Sequence, residues 1–175
     1  MPYNDYTKTM QTIYFKGQPC HTYGEPPAVG QAAPAFHLTA PDLSDCSLDT
    51  FAGKRIVLNI FPSLDTEVCA RSVRRFNEEA AKLEDTAVVC VSMDLPFAMG
   101  RFCTLEGING VTFASAFRSP LFGQNYGVMM TDGPLAGLLA RAVMIIDKNR
   151  KIEYVEFVGE ITHEPDYKAA LSTLR

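Results

Sequence analysis

The sequence predicts an α/β fold: one domain built on a mixed β-sheet with helices on both faces. Within residues 55–94 a buried-strand pattern, an amphipathic helix pattern and a second buried-strand pattern follow one another, the order of a βαβ unit with two parallel strands. Residues 141–158 predict an antiparallel hairpin, so the sheet is mixed. The chain has 175 residues, 47% of them hydrophobic, which is enough for one sizeable core and favours a single domain over residues 1–175.

The first third of the chain predicts mostly short elements. Residues 1–10 are expected to form a flexible extension, and residues 11–24 a β-hairpin that turns at Lys16–Gly17. Residues 24–35 are rich in proline, alanine and glycine and predict an irregular connection. Residues 38–53 predict polar turns around short apolar pieces.

The central βαβ unit gives the clearest patterns. Residues 55–62 form an almost continuous apolar run that ends at Pro62, typical of a strand covered on both faces. Residues 65–85 predict a helix with Asp65 as its N-cap and apolar residues at helical spacing. Residues 86–94 predict the second buried strand.

The second half of the chain adds a helix, a strand, a long loop, a hairpin and a last helix. The predicted bounds are 95–107 for the helix with Pro96 in its first turn, 111–117 for the strand, 141–147 and 151–158 for the hairpin, and 164–175 for the last helix. This order of elements is consistent with a thioredoxin-like α/β sandwich that carries an N-terminal β-hairpin.

The composition argues against several classes of partner. A net charge of −4 without a basic stripe makes nucleic acid and anionic membranes poor candidates. The chain has no apolar run near the roughly 20 residues needed to span a bilayer, and no basic segment followed by an apolar stretch at its start. We therefore expect a soluble, cytoplasmic protein.

Five cysteines raise the question of which are reactive: Cys20, Cys46, Cys69, Cys90 and Cys103. An odd number without a C-x-x-C pair argues against a disulfide framework. The three histidines lack ligand spacing, so we expect no metal and no cofactor. Cys90 lies inside a buried strand pattern and is expected in the core; Cys20 and Cys46 have no partner at a telling spacing and are treated as structural.

Cys69 falls in the first turn of a helix that follows a buried strand, a position where reactive groups gather in α/β sheets. A free cysteine thiol has a pKa near 8.5, and lowering it to about 6 requires roughly 3.4 kcal/mol of preference for the anion. A helix N-terminus supplies at most about 2 kcal/mol, so a reactive cysteine here needs a cation as well. Arg71, Arg74 and Arg75 are near in sequence but are expected on a solvated helix face. Arg141, at the head of an apolar strand, is the stronger candidate because a buried guanidinium needs an anionic partner.

The motif Pro62-Ser63-Leu64-Asp65-Thr66-Glu67-Val68-Cys69 resembles the P-x-x-x-T-x-x-C signature of the peroxiredoxins. The segments LNIFPSLDTEVCARSVRRFN, DLPFAMGRFC (94–103), DGPLAGLLARAV (132–143) and TxEPDYxAAL (162–171) resemble the thiol peroxidase subfamily in particular. These separated motifs stand in the right order, and the resemblance covers roughly residues 11–175.

The resemblance implies a role for each matching residue. Cys69 matches the peroxidatic cysteine and Thr66 the threonine that contacts both thiolate and peroxide. Pro62 matches the proline that shields the thiolate, and Arg141 the arginine that stabilises it and polarises the peroxide. Cys103 matches the resolving cysteine, 34 residues after the peroxidatic one. Without the resemblance, Cys103 is equally a packed cysteine, Arg141 a strand-end charge, Pro62 a strand end and Thr66 a helix cap.

The resemblance further implies an atypical two-cysteine peroxidase that forms an intramolecular Cys69–Cys103 disulfide, is recycled by thioredoxin and acts as a homodimer. From the residues alone, Met129 and Met130 are either packed in the core or part of an apolar peroxide pocket; we favour the pocket, which would suit alkyl or lipid hydroperoxides. Two other functions stay open: a general disulfide oxidoreductase, disfavoured by the missing C-x-x-C, and a noncatalytic redox sensor. Thioredoxin-linked turnover of cumene hydroperoxide separates the three.

Overall fold

The structure, a computed structural model, describes residues 11–175, so the extension expected at residues 1–10 lies outside the described part. Within it, ten strands form two sheets. The strands are β1 (Thr12–Phe15), β2 (Gln18–Tyr23), β3 (His37–Thr39), β4 (Asp45–Ser47), β5 (Arg55–Ile60), β6 (Thr86–Ser92), β7 (Thr112–Ser115), β8 (Met129–Met130), β9 (Ala142–Ile146) and β10 (Ile152–Phe157).

The larger sheet has seven strands in the order β10-β9-β5-β6-β7-β3-β4. Strand β6 runs parallel to both β5 and β7, whereas β9 pairs antiparallel with both β5 and β10. The predicted mixed sheet, βαβ unit and C-terminal hairpin are therefore confirmed. The smaller sheet has the order β1-β2-β8 and contains the predicted N-terminal hairpin. Lys16 and Gly17 both have positive φ at its turn, a backbone conformation that two-residue hairpin turns favour.

Four α-helices and one short 3-10 helix complete the described fold: α1 (Glu67–Ala80), α2 (Pro96–Glu106), α3 (Pro120–Asn125), α4 (Tyr167–Ser172) and the 3-10 helix at Leu48–Phe51. Helices α1, α2 and α4 pack with Val57, Val88 and Val143 on one face of the large sheet. Helix α3 and the small sheet pack with Leu58 and Val91 on the other face. The alternation of inward residues along the central strands creates these two cores, and the predicted sandwich with helices on both faces is confirmed.

The helix ends differ from the sequence-based bounds by a few residues. The N-cap of α1 is Thr66 rather than the expected Asp65, and the helix ends at Ala80. At α4 the N-cap is Asp166, whose carboxylate accepts a hydrogen bond from the Ala169 N–H. Several residues near each predicted start could serve as caps, and the backbone conformation decides between them.

Two regions contain more regular structure than the sequence predicts. Residues 38–53, expected as turns, hold parts of β3, β4 and the 3-10 helix, and the predicted long loop holds α3 and β8. Strands of two or three residues are too short for a hydrophobic period to reveal, and β3 exists because its backbone pairs with β4 and with β7. No helix within residues 11–175 is long and apolar enough to cross a membrane.

Candidate active site

Cys69 lies in the first turn of α1, directly after the end of the central strand β5. Its side chain is fully buried and packs with Val73 and Phe76 against the large sheet. The first turn of a helix presents backbone N–H groups without intrahelical partners and carries partial positive charge. The sequence thus places a thiol where the backbone favours an anion.

Arg141 is the side chain that contacts this thiol. It immediately precedes β9, it is 2% exposed, and its Nη2 donates to Cys69 Sγ at 3.3 Å. Its Nε donates to the backbone carbonyl of Ile161 at 2.8 Å, and its Nη1 is buried with no hydrogen-bond partner among residues 11–175. A guanidinium does not lose its proton in a protein, so a buried Arg141 favours negative charge on the neighbouring sulfur. The interpretation of Arg141 as a surface charge is wrong.

A pocket of about 160 Å³ borders Arg141. Its polar lining includes Thr66 and Thr162, and its apolar walls come from Phe15, Val68, Leu135, Leu138 and Ile161. Because Arg141 both lines the pocket and contacts Cys69, a ligand in the pocket would lie beside the residue that holds the sulfur.

Pro62 and Thr66 border the same pocket, as their positions in one motif suggest. Pro62 is buried between β5 and α1. The Thr66 hydroxyl donates to the Ser63 carbonyl at 3.1 Å, so its oxygen lone pairs remain able to accept. Pro62, Thr66, Cys69 and Arg141 are therefore brought together in space.

Asp94 holds the loop that carries Pro62 and Thr66, and sequence reasoning missed it. Its carboxylate accepts from the Ser63 hydroxyl and from the Leu64 N–H, both at 2.8 Å, and from the Ser92 hydroxyl at 2.6 Å. Asp94 follows the carboxyl end of β6, beside the end of β5. An acidic residue at that edge of a parallel pair was the signal available in the sequence.

Cys103 lies in α2, half-buried, and does not border the pocket at Arg141. It lines a separate pocket of about 380 Å³ together with Phe113 and Cys46. Its side chain packs against the same core cluster as Cys69, and burial raises the pKa of its thiol. All five cysteines lie in the described part of the chain and are free thiols in the structure.

The remaining cysteines have the surroundings of packed core residues. Burial raises the pKa of Cys90 to about 12 and that of Cys46 to about 11. Cys20 is fully buried and touches the backbone of the small sheet. Such thiols are poor nucleophiles at neutral pH.

Met129 and Met130 form β8 and do not line the pocket at Arg141, so the expectation for them is wrong. Met130 is buried in the core between the sheets, and Met129 packs against the same cluster. Leu135 and Leu138 of the following segment supply the apolar wall instead. Strand β8 pairs with β2, and Met129 also pairs with Leu139.

Comparisons with known proteins agree with this geometry. Residues 28–171 match the protein-family model described as Redoxin. The thiol peroxidase of Corynebacterium glutamicum is 52% identical over 165 residues, which is 94% of this chain and 99% of that protein. The thiol peroxidase of Mycobacterium tuberculosis is 54% identical with the same coverage.

Solved structures give the same picture of the fold. The structure of a peroxiredoxin-like protein from Aquifex aeolicus superposes with a TM-score of 0.88 at 41% identity, covering 94% of this chain and 96% of that chain. The thiol peroxidase from Chromobacterium violaceum has a TM-score of 0.84 at 21% identity, over 93% of this chain and 94% of that chain, and shares the fold.

Proposed function

Because the chain belongs to the Redoxin family and is a peroxidase of the peroxiredoxin type, we propose that it reduces hydroperoxides with Cys69 as the nucleophile. The observation that carries this proposal is the buried contact between Arg141 Nη2 and Cys69 Sγ at 3.3 Å. A thiolate is the reactive form of cysteine, and a desolvated guanidinium beside it favours that form.

In the first step the Cys69 thiolate attacks one oxygen of the hydroperoxide in line with the O–O bond. The S–O bond forms as the O–O bond breaks, and the other oxygen leaves as alkoxide or hydroxide, which takes up a proton to give an alcohol or water. Arg141 binds the hydroperoxide and stabilises the negative charge that develops on the leaving oxygen, and Thr66 orients the hydroperoxide. The place of Arg141 and Thr66 in the pocket lining, with Arg141 bonded to the sulfur, supports this assignment. Pro62 shields the sulfur from bulk water.

In the second step Cys103 resolves the sulfenic acid formed on Cys69. The Cys103 thiol condenses with it, water is released, and a Cys69–Cys103 disulfide results. Cα atoms joined by a disulfide lie within about 7 Å, and both cysteines are in helices, so we expect at least one helix to open locally. Thioredoxin, as a dithiol reductant, then reduces the disulfide and regenerates both thiols.

The substrates we propose are hydrogen peroxide and, in preference, alkyl or lipid hydroperoxides. The walls formed by Phe15, Leu135 and Leu138 support this preference, since an apolar substituent gains from leaving water. The family resemblance supports a single domain over residues 1–175, a homodimer and a cytoplasmic role in antioxidant defence.

A steady-state assay with cumene hydroperoxide, thioredoxin and thioredoxin reductase tests the proposal. Cys69→Ser should abolish turnover, because no thiolate remains beside Arg141. Cys103→Ser should consume one equivalent of peroxide and lose thioredoxin-linked turnover. Cys46→Ala is the matched control and should retain both activities. Full peroxide consumption by Cys69→Ser would exclude Cys69 as the nucleophile.

A further inference from the structure

The carbonyl of Ile161 fixes the orientation of Arg141. Arg141 is buried and makes two hydrogen bonds through its guanidinium, one to Cys69 Sγ and one from Nε to the Ile161 oxygen. A planar guanidinium held by one acceptor keeps its other N–H groups in fixed directions. The position of the Ile161 carbonyl therefore decides where the remaining donors point.

The segment that carries Ile161 is held by the N-terminal hairpin. The Tyr14 N–H donates to the Gly159 carbonyl at 2.8 Å, and the Ile161 N–H donates to the Tyr14 carbonyl at 2.9 Å. These two bonds extend β1 by a short parallel pairing with residues 159–161. The segment follows β10 and belongs to no strand of the large sheet; besides the Val158 N–H bond to the Arg141 carbonyl and the buried Ile161 side chain, this attachment is what holds it.

Glu160 closes the attachment with its side chain. One carboxylate oxygen accepts from the Lys16 N–H and the other from the Gly17 N–H, both at 3.0 Å. The oxygen facing Lys16 also accepts from the N–H and the hydroxyl of Thr162, at 3.2 and 2.9 Å. Within residues 11–175 Glu160 forms no ion pair, so these four donors satisfy the charge. They hold the pKa of Glu160 at about 2, well below its ordinary value.

We propose that Glu160 is a positioning residue for the peroxidase reaction: it ties the hairpin turn to the 159–162 segment, fixes the Ile161 carbonyl, and thereby orients Arg141 at Cys69. The inference rests on the roles proposed above for Cys69 and Arg141. Glu160 does not itself line the pocket, and its one hydrogen-bonded contact with the lining is to Thr162, whose N–H and hydroxyl donate to its carboxylate.

Glu160→Gln is the variant that tests the link with the least change in volume. A carboxamide has one accepting oxygen where the carboxylate has two, so its NH2 group would face either the Gly17 donor or the Lys16 and Thr162 donors. Loss of the hydrogen bonds on that side lets the Ile161 carbonyl move, and the guanidinium of Arg141 then loses its fixed orientation. We expect the second-order rate of Cys69 oxidation to fall roughly 10-fold, less than the roughly 100-fold that a 1 Å misplacement can cost.

A double-mutant cycle with Arg141→Ala separates positioning from general damage. Stopped-flow oxidation by cumene hydroperoxide is measured for the intact chain, Glu160→Gln, Arg141→Ala and the double variant. If Glu160 acts through Arg141, Glu160→Gln slows the intact chain but has no further effect once Arg141 is replaced by alanine. Equal rate losses in both backgrounds would overturn the proposal, as would an unchanged rate in Glu160→Gln alone.

Asp147→Asn is the matched control, because Asp147 also accepts backbone N–H groups at a hairpin turn, those of Asn149 and Lys151. It should leave the oxidation rate unchanged. The cycle also distinguishes a failure of the proposed role of Arg141 from a failure of the proposed role of Glu160. If Arg141→Ala is oxidised as fast as the intact chain, the role of Arg141 is wrong. If Arg141→Ala is slow and Glu160→Gln is as fast as the intact chain, the role of Glu160 is wrong.

Discussion

The guanidinium of Arg141 uses its nitrogens in three different ways. Nε bonds to a backbone carbonyl, Nη2 to the Cys69 sulfur, and Nη1 has no partner within residues 11–175. A lysine ammonium would supply the charge but not the fixed fork of donors. Arg141 therefore combines a positive charge with donors in fixed directions. The bond from Nε to the Ile161 carbonyl sets those directions.

Glu160 gives the residue-scale prediction, on the dependence of stability on pH. Its pKa is about 2 in the folded protein against an ordinary value of 4.5. A carboxylate with a depressed folded-state pKa stabilises the fold above the unfolded pKa, and the contribution declines as pH falls from about 4.5 towards 2. Glu160→Gln should therefore unfold at a lower urea concentration than the intact chain at pH 6, and the difference should narrow at pH 3.

Asp147→Asn, which alters another turn carboxylate, serves as the reference for the same titration. The interpretation of Glu160 fails if the stability difference for Glu160→Gln is the same at pH 6 and pH 3, because a non-titrating effect would then account for it.

At the scale of residues, the sequence predicts which side chains of one motif meet at the site. It does not predict which backbone groups bond to them. Pro62, Thr66 and Cys69 lie within eight residues of each other, so their meeting follows from the strand-to-helix turn. Arg141 could be predicted because a reactive cysteine needs a cation. The bond to the Ile161 carbonyl could not be predicted, because every residue has a backbone carbonyl and the sequence does not show which one is near.

At the scale of elements, α1 is attached to β5 by a buried polar link. The Ser72 hydroxyl donates to the Cys69 carbonyl at 2.9 Å, and the Asn59 amide donates to the Ser72 oxygen at 3.3 Å. The amide also lies 3.7 Å from Cys90 Sγ, and Asn59 Oδ1 is buried without a partner. The link joins the helical turn of Cys69 to the centre of the sheet.

Ser72→Ala should destabilise the protein, because it leaves the buried Asn59 amide with only the weak sulfur acceptor. An unpaired buried donor costs about 1–3 kcal/mol. Urea unfolding measures the loss. Ser172→Ala is the matched control, since the Ser172 hydroxyl also bonds to the carbonyl three residues earlier, but on the surface of α4. Ser172→Ala should change the free energy of unfolding by no more than about 0.5 kcal/mol. Equal losses for the two variants would show that the bond between Asn59 and Ser72 does not stabilise the protein.

Helix α2 is the element we expect to open when Cys69 and Cys103 form a disulfide. It buries only Pro96 and Met99, whereas α1 buries five residues of its length. Two large apolar side chains of α2, Phe97 and Leu105, are exposed. Fewer buried contacts mean a lower free energy of local opening.

Amide hydrogen exchange, read by mass spectrometry before and after one equivalent of peroxide, tests this expectation. Residues 97–105 should lose protection on oxidation, and residues 66–72 should lose less. Cys103→Ser, which cannot form the disulfide, should keep its protection after the same treatment. Unchanged exchange of both segments in the oxidised intact chain would contradict helix opening.

Elements of four residues or more in the βαβ unit and the two hairpins were predicted correctly, and strands of two or three residues were not. The patterns of β5, β6 and α1 extend over six residues or more and match their positions in the core. Strands β3 and β8 have three and two residues. Their existence depends on pairing with distant parts of the chain, which no local pattern records.

At the scale of the whole molecule, the pocket lies where separate parts of the fold meet. Phe15 comes from the hairpin of the small sheet, Thr66 from the start of α1, and Arg141 from the start of β9. The hairpin contributes an apolar wall but no group that contacts the sulfur. The Phe15 side chain can therefore be replaced without removing a group that contacts the sulfur, and the backbone bonds of the hairpin to residues 159–161 remain.

Phe15→Ala should lower the activity on cumene hydroperoxide more than the activity on hydrogen peroxide, because only the former has an apolar substituent to bury. We expect the ratio of the two kcat/KM values to fall about 10-fold, within the range that a change in apolar contact gives. Tyr14→Ala is the control, since Tyr14 is 45% exposed on the same strand and its side chain does not line the pocket. If both substrates slowed equally, Phe15 would act by holding the hairpin in place, and the apolar wall would not set the preference.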